Sequence, residues 1–281
     1  MSQTKAQLID ASATFTISSD ASFNEVVVGK GPNSVTGNTV VGKNALVGNV
    51  SGVDNTAIGA NSLSALTSGT DNTGVGKDSL STLTTGSHNT ALGTESMDVL
   101  STCSHNTGLG KAALGSLTTA DNNTAVGSGA LGLNTTGTYN TAVGRSALVE
   151  NTTGTANVAV GGLALDACTT GDDNVAVGYN SLSSLTTGNS CIAMGRAALN
   201  ANTTGIANVA VGDQTLESNS TASNNSAFGH HALVTNTTGY NNVACGNYAL
   251  RYNTEGFENV AVGYNCLEDN TTGDFNIGVG R

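Results

Sequence analysis

The sequence contains no Trp, one Pro (Pro32), five Phe and six Tyr among 281 residues. A chain this poor in large rings cannot build the aromatic-rich core of an ordinary globular enzyme. Charge is also scarce: a tenth of the residues are charged, and 20 acidic against 9 basic groups give a net charge of -11. That balance opposes binding to a phosphate backbone, so no nucleic-acid partner is expected. No stretch approaches the ~20 apolar residues of a membrane-spanning helix, so no membrane insertion is expected. Residues 1–10 include Lys5 but no apolar run of signal-peptide length, which implies a protein that stays where it is made until the cell lyses. The cysteines are odd in number, Cys103, Cys168, Cys191, Cys245 and Cys266, with neither CxxC nor Cys/His ligand spacing. They are read as reduced, small, buried residues.

What the sequence has in abundance is periodicity. A block of Asn, Thr or Val, Ala or Gly, an aliphatic residue and Gly returns at a strict seventeen-residue period, fifteen times from Gly42 to Gly280, without an insertion or deletion. Such regularity means that each unit makes one structural step and that the steps stack. Two residues before the Gly stands nearly always Ala or Gly (Ala57, Gly74, Ala142, Ala159), and one before it an apolar residue (Val41, Ile58, Val143, Phe228). Alternation places these two columns on opposite faces of a strand. Four residues after each Gly comes a second apolar column, including Leu131, Leu148, Leu165 and Leu182. The unit closes on Asn-Thr-Thr-Gly, as in residues 134–137 and 151–154, with Leu replacing that Asn at Leu66, Leu83, Leu117 and Leu185.

Two glycines, two β-branched threonines and an Asn in so short a unit cannot sustain a helix. The glycines supply positive-φ corners, so each unit is expected to hold two short strands and two turns. The fold class is therefore all-β: a β-solenoid of about fifteen coils, which at the ~4.8 Å spacing of stacked strands is a rod of about 70 Å. Asn opens the block in fourteen of fifteen repeats, among them Asn123, Asn140, Asn157 and Asn174, with Cys191 the exception. A stacked amide ladder satisfies the polar groups of a corner without charge, and no catalytic role requires fourteen copies.

Each coil buries about three aliphatic side chains worth roughly 1.5–3 kcal/mol apiece, against ~1–2 kcal/mol of backbone entropy for every ordered residue. A second apolar surface would help, so a parallel homotrimer is expected, with identical columns meeting at one height about a three-fold axis. The Ala/Gly column is the first candidate for the contact face; the alternative turns the small residues inward and the aliphatic column out to the partner chains. The column three before the Gly runs from Thr39 to Thr141 as threonine and from Val158 onward mostly as Val or Ile, so the distal half is expected to be drier and more stable. Residues 1–36 lie outside the period and are read as a cap or attachment segment ahead of a repeat domain of 37–281. Within it, residues 1–10 suit a short helix, 14–18 alternate as a strand does, and 23–29 look like a degenerate repeat.

The repeat seen whole at residues 123–137 and 140–154 resembles those of trimeric β-roll adhesin heads of the YadA type and of phage tail-fibre shafts, over about 245 of 281 residues. The adhesin heads use a shorter unit. The opening Met-Ser-Gln-Thr-Lys-Ala-Gln-Leu-Ile-Asp is similar to the starts of marine bacteriophage structural proteins. The resemblance implies a left-handed, trimeric roll and a non-enzymatic virion component, assembled in the host cytoplasm. Its partners would be itself, other virion proteins through residues 1–36, and host-surface polysaccharide. Two other readings stay open: a cell-surface carbohydrate-binding adhesin, which the missing signal sequence opposes, and an ice-binding solenoid using its regular Thr rows.

Variable positions carry what chemistry there is. Tyr240 and Phe257 share one column, Tyr179 and Tyr264 another that also holds Lys43 and Arg145, and Phe275 lies close to the first. Exposed rings near the C-terminal end suit stacking on sugars, and these five are the candidate receptor-binding residues. His88 and His105 fall one coil apart, whereas the adjacent His230 and His231 point apart if extended. Acidic residues such as Glu95, Asp98, Asp166 and Glu217 are scattered, no Ser/His/Asp or Cys/His set converges, and neither a cofactor nor a metal site is expected.

Overall fold

The computed structural model describes residues 20–23 and 26–281. They form one seventeen-stranded sheet. Fifteen of its strands, from β3 (Thr39–Gly42) to β17 (Ile277–Val279), lie parallel, one per coil. The register has no offset: in β9 (Thr141–Val143) and β10 (Val158–Val160), Thr141 faces Val158, Ala142 faces Ala159 and Val143 faces Val160. The β-solenoid read from the period is therefore the architecture.

Only one of the two expected strands is regular. On the opposite side of the coil the chain turns through left-handed conformations, with Ser146 at φ 55° and Leu148 at φ 52°. The backbone still bonds coil to coil there: Leu148 N–H donates to Ala164 C=O at 3.0 Å and Glu150 N–H to Asp166 C=O at 3.1 Å. A left-handed Leu costs ~1–2 kcal/mol. Leu131, Leu148, Leu165 and Leu182 are fully buried, and burying a Leu returns about 1.5–3 kcal/mol. Burial and the inter-coil bond together outweigh the strain, so the column keeps Leu where a turn alone would select Gly or Asn. Gly144, at φ 141°, ends the strand; a Cβ there would collide with the carbonyl of Gly161 in the next coil.

The corner asparagines form the ladder in full chemical detail. Asn140 is buried, and its Oδ1 accepts from the backbone N–H of Asn157 at 3.0 Å and from Asn157 Nδ2 at 3.3 Å. Its own Nδ2 donates to Gly154 C=O at 2.8 Å, an oxygen that also receives Asn151 Nδ2 at 3.0 Å. The same bonds link Asn123 to Asn140 and Asn157 to Asn174 through their backbone N–H groups. The Asn of the Asn-Thr-Thr-Gly turn thus makes a second, shorter ladder, as in Asn219–Asn236–Asn253. Where it is cut by Cys168, Asn151 Oδ1 is buried with no partner.

The structure assigns the two faces of the strand. Ala142 and Ala159 are fully buried inside the coil, while Val143 and Val160 are about one-third exposed, each at 37 %. The Ala/Gly column is thus not an outer surface. The interior is narrow, since a Cβ at Gly74 would press on Ser62 Oγ and on Leu63; in the first coil the same column admits a larger residue, the fully buried Val40. The Thr-to-Val column is on the outer side with the aliphatic column: Thr141 and Val158 are both half-buried. Its change to valine therefore makes the distal outer surface more apolar and does not dry the core, correcting the expectation of a drier distal half.

At the start, β1 (Ala21–Phe23) and β2 (Val26–Gly29) pair antiparallel, and β2 pairs antiparallel with β3. Residues 26–29 are therefore no degenerate coil, because a coil of this stack runs parallel to its neighbour; they lie along the free edge of the first one. The helix and strand expected within residues 1–18 fall outside the described residues. Among the described residues, no helix is long and apolar enough to cross a membrane.

Cys191 is the one break in the corner ladder. Its N–H still donates to Asn174 Oδ1 at 2.9 Å and its Sγ approaches Gly205 C=O at 3.3 Å, but it has no amide oxygen to offer Asn208. Replacing it with Asn restores the missing acceptor between two existing rungs. Cys191→Asn is predicted to stabilise the fold by about 1 kcal/mol, read as a higher denaturant midpoint at unchanged m-value.

Candidate functional site

The periodic residues are used up by packing and amide bonds, so any site must be built from corner side chains. The structure divides the five candidate aromatics. Tyr240 and Phe257 stack face to face, with centroids 4.9 Å apart and planes 1° from parallel, and Phe275 meets Phe257 edge-on at 5.2 Å. Tyr264 belongs to a second group at the other end of the strand, edge-on to Tyr248 at 6.1 Å. Tyr179 shares Tyr264's column but stands five coils before it, about 24 Å along the axis. Tyr179, Tyr240, Tyr264 and Phe275 are exposed and Phe257 is half-buried.

Sequence reasoning does not single out Tyr248, although the register holds the signal: Gln214, His231, Tyr248 and Asn265 occupy one column. All four have positive φ, between 52° and 59°. That conformation overturns the expectation that His230 and His231 point apart. The left-handed turn at His231 brings their rings into a stack with centroids 3.9 Å apart and planes 14° from parallel. Tyr248 lies edge-on to both, at 5.4 Å and 5.6 Å, and the Arg251 guanidinium covers Tyr248 at 4.8 Å.

Below the imidazoles lies the preceding coil. His231 Nε2 is 2.8 Å from Gln214 Oε1, His230 Nε2 is 3.9 Å from Asp213 Oδ2, and Arg196 Nη2 reaches the same oxygen at 2.9 Å. Partial burial, followed by electrostatic repulsion from His230 and Arg251, holds the His231 imidazole below its ordinary pKa, with Asp213 and Glu217 opposing. His88 and His105 also stack, at 4.9 Å, with His88 Nδ1 3.8 Å from Asp71 Oδ2.

Comparisons with protein-family models, with curated proteins and with solved structures found no match for this chain. Function therefore rests on the geometry.

That geometry activates none of Cys103, Cys168 and Cys191. Cys103, Cys168, Cys191 and Cys266 are buried, and burial pushes the Cys168 thiol up to about 11 and raises those of Cys103 and Cys191. Cys245, expected to be buried, is exposed because its column is the outward one.

Asp98 and Asp166 are held above the usual carboxylate range mainly by burial, with Glu95 adding at Asp98 and Glu150 at Asp166. They share a column but lie four coils apart, so they are no acid/base pair. Asp166 Oδ1 is buried without a partner. An acid raised in the fold is penalised only when ionised: the penalty is absent below the unfolded pKa and sets in as pH rises through the folded value. Asp166→Asn is therefore predicted to stabilise the protein at about pH 7 and to leave it unchanged at about pH 3, measured by thermal unfolding at both.

Proposed function

We propose that this protein is a non-enzymatic rod that assembles as a parallel homotrimer and serves as a fibre or spike of a phage particle. In this reading its body is a rigid spacer and its corner aromatics meet host-surface polysaccharide. The observation that carries the reading is the outward face of the parallel sheet. From Val158 and Val160 to Ile277 and Val279, both outward columns of every coil are apolar except at Ser226, and Val160, Val177, Met194, Phe228 and Val262 are all at least 36 % exposed. The eight strands from Val158 to Val279, at ~4.8 Å spacing and three residues of ~3.3 Å, give an apolar stretch of about 38 by 10 Å, about 380 Å², within a whole face of about 700 Å². A contiguous apolar patch of several hundred Å² marks an interaction surface, and the whole face approaches the about 800 Å² that each partner gives to a standard interface.

Identical columns meet at the same height only when chains run parallel about an axis along the rod, and a rotation that closes leaves no open filament. Three copies rather than two follow from the resemblance of the repeat to trimeric rolls. Inter-coil bonds along every side of the coil supply the stiffness a spacer needs. Its dearth of charge and its lack of a convergent acid/base pair among the described residues favour mechanical work over catalysis.

Light scattering on the purified full chain tests the assembly. A mass of three times 27.8 kDa is expected, and Val160→Lys with Val177→Lys should reduce it to one. A wild-type mass of one or two chains contradicts the trimer. Antibody against the rod should decorate fibres or spikes on purified virions by electron microscopy, and unlabelled virions contradict the virion role.

A further inference from the structure

Asp213 and His230 occupy one column in successive coils, so the register that stacks the strands also sets one directly over the other, and His231 follows in the left-handed turn. One ligand atom from each of the three lies within 4.8 Å of the others, and all three side chains are partly exposed. We propose that Asp213, His230 and His231 bind a divalent transition-metal ion of the zinc class, clamping two successive coils at this corner.

Ligand chemistry supports that class of ion. Two imidazoles and one carboxylate suit zinc, cobalt or nickel, whereas calcium and magnesium require oxygen-rich sets. The 3.9 Å between His230 Nε2 and Asp213 Oδ2 exceeds hydrogen-bond range. Two ligand bonds of about 2 Å at a tetrahedral angle span about 3.3 Å, so the two side chains close by about half an ångström around a shared ion. The two rings lie stacked with planes 14° apart, so one imidazole turns about its side-chain bonds to bring both nitrogens onto the ion, and the neighbours supply the frame in which it does so. Gln214 Oε1 contacts His231 Nε2 at 2.8 Å, and Asn247 Oδ1 accepts the His230 backbone N–H at 3.1 Å. Tyr248 packs edge-on against both imidazoles. Buttressing of ligands by neighbours is what tunes a metal site.

Arg196 is the competitor. Its Nη2 sits 2.9 Å from the Asp213 oxygen nearest His230, on side chains that are 57 % and 37 % exposed. Binding an ion displaces that guanidinium from Oδ2, which an exposed arginine permits at little cost. Three protein ligands leave at least one position open to water or to an oxygen of another molecule. The site does not depend on the trimer or on the virion role, since all three ligands come from one chain.

The test uses full-length protein without a histidine tag, titrated with Zn2+ by calorimetry and with Co2+ by visible absorption. One saturable site per chain is expected, with Co2+ giving ligand-field bands of low coordination number. Asp213→Asn, His230→Asn and His231→Asn should each weaken binding by more than the roughly 10- to 100-fold that even outer-shell changes cost. His88→Gln with His105→Gln should leave it intact, and Arg196→Met should tighten it several-fold. Circular dichroism of each variant checks that the rod still folds. Absence of saturable binding by folded wild-type protein overturns the proposal. So does binding that survives the three ligand substitutions, or that is lost with His88→Gln and His105→Gln.

Discussion

Each buried asparagine that opens a strand block finds the partner for its oxygen in the neighbouring coil, at a fixed distance of one repeat. Asn140 illustrates the constraint: its oxygen is satisfied only by Asn157, and its NH₂ only by the Gly154 carbonyl of its own coil. An orphaned buried amide costs on the order of 1–3 kcal/mol. Adding or removing one residue in a coil would leave such groups unpaired at both corners and turn the buried Ala outward. The exact repeat length is thus a consequence of polar satisfaction as much as of apolar packing.

The same constraint explains the unusual backbone. Threonines at the corner answer it in their own way, with Thr135 Oγ1 donating to Thr152 C=O at 2.9 Å and Thr152 Oγ1 to Thr169 C=O at 3.0 Å. On the turning side, left-handed residues keep N–H and C=O groups aimed along the axis while the chain reverses direction. Leucine offsets its strained conformation there by filling the only space large enough for it. Alanine and glycine opposite occupy what little remains, leaving the larger aliphatics outside. A single coil therefore cannot hide all of its own apolar residues, and the solvent side of the sheet is the result.

How much of this is legible in the sequence depends on whether a column has one physical solution or two. The period, the all-β solenoid, the buried Leu131–Leu182 column and the amide ladder of Asn123–Asn174 each have one. The faces of the strand have two: in Thr141–Val143 alternation separates Ala142 from Val143 but does not say which lies inside. The narrowness of the interior beyond the first coil decides it, as the crowding around Gly74 by Ser62 and Leu63 illustrates. The second strand is misread because a regular spacing of Leu looks the same whether the chain between is extended or alternates in hand. For the same reason the stacking of His230 on His231 is hidden, since an extended chain separates adjacent side chains and only the left-handed turn at His231 brings them together. Of the aromatics, Tyr240 and Phe257 are paired by column, while Tyr248 enters only through that turn.

The claim beneath all of this is that coils pile in register on a common axis, held by corner amides. Electron cryomicroscopy of the purified chain at a resolution that separates strands tests it most directly. The account predicts rungs about 4.8 Å apart, with Gly42, Gly59 and each later member of the series up to Gly280 superposed along the axis and the Asn side chains inside. Successive glycines displaced sideways from one another, or Asn side chains turned to solvent, would contradict it.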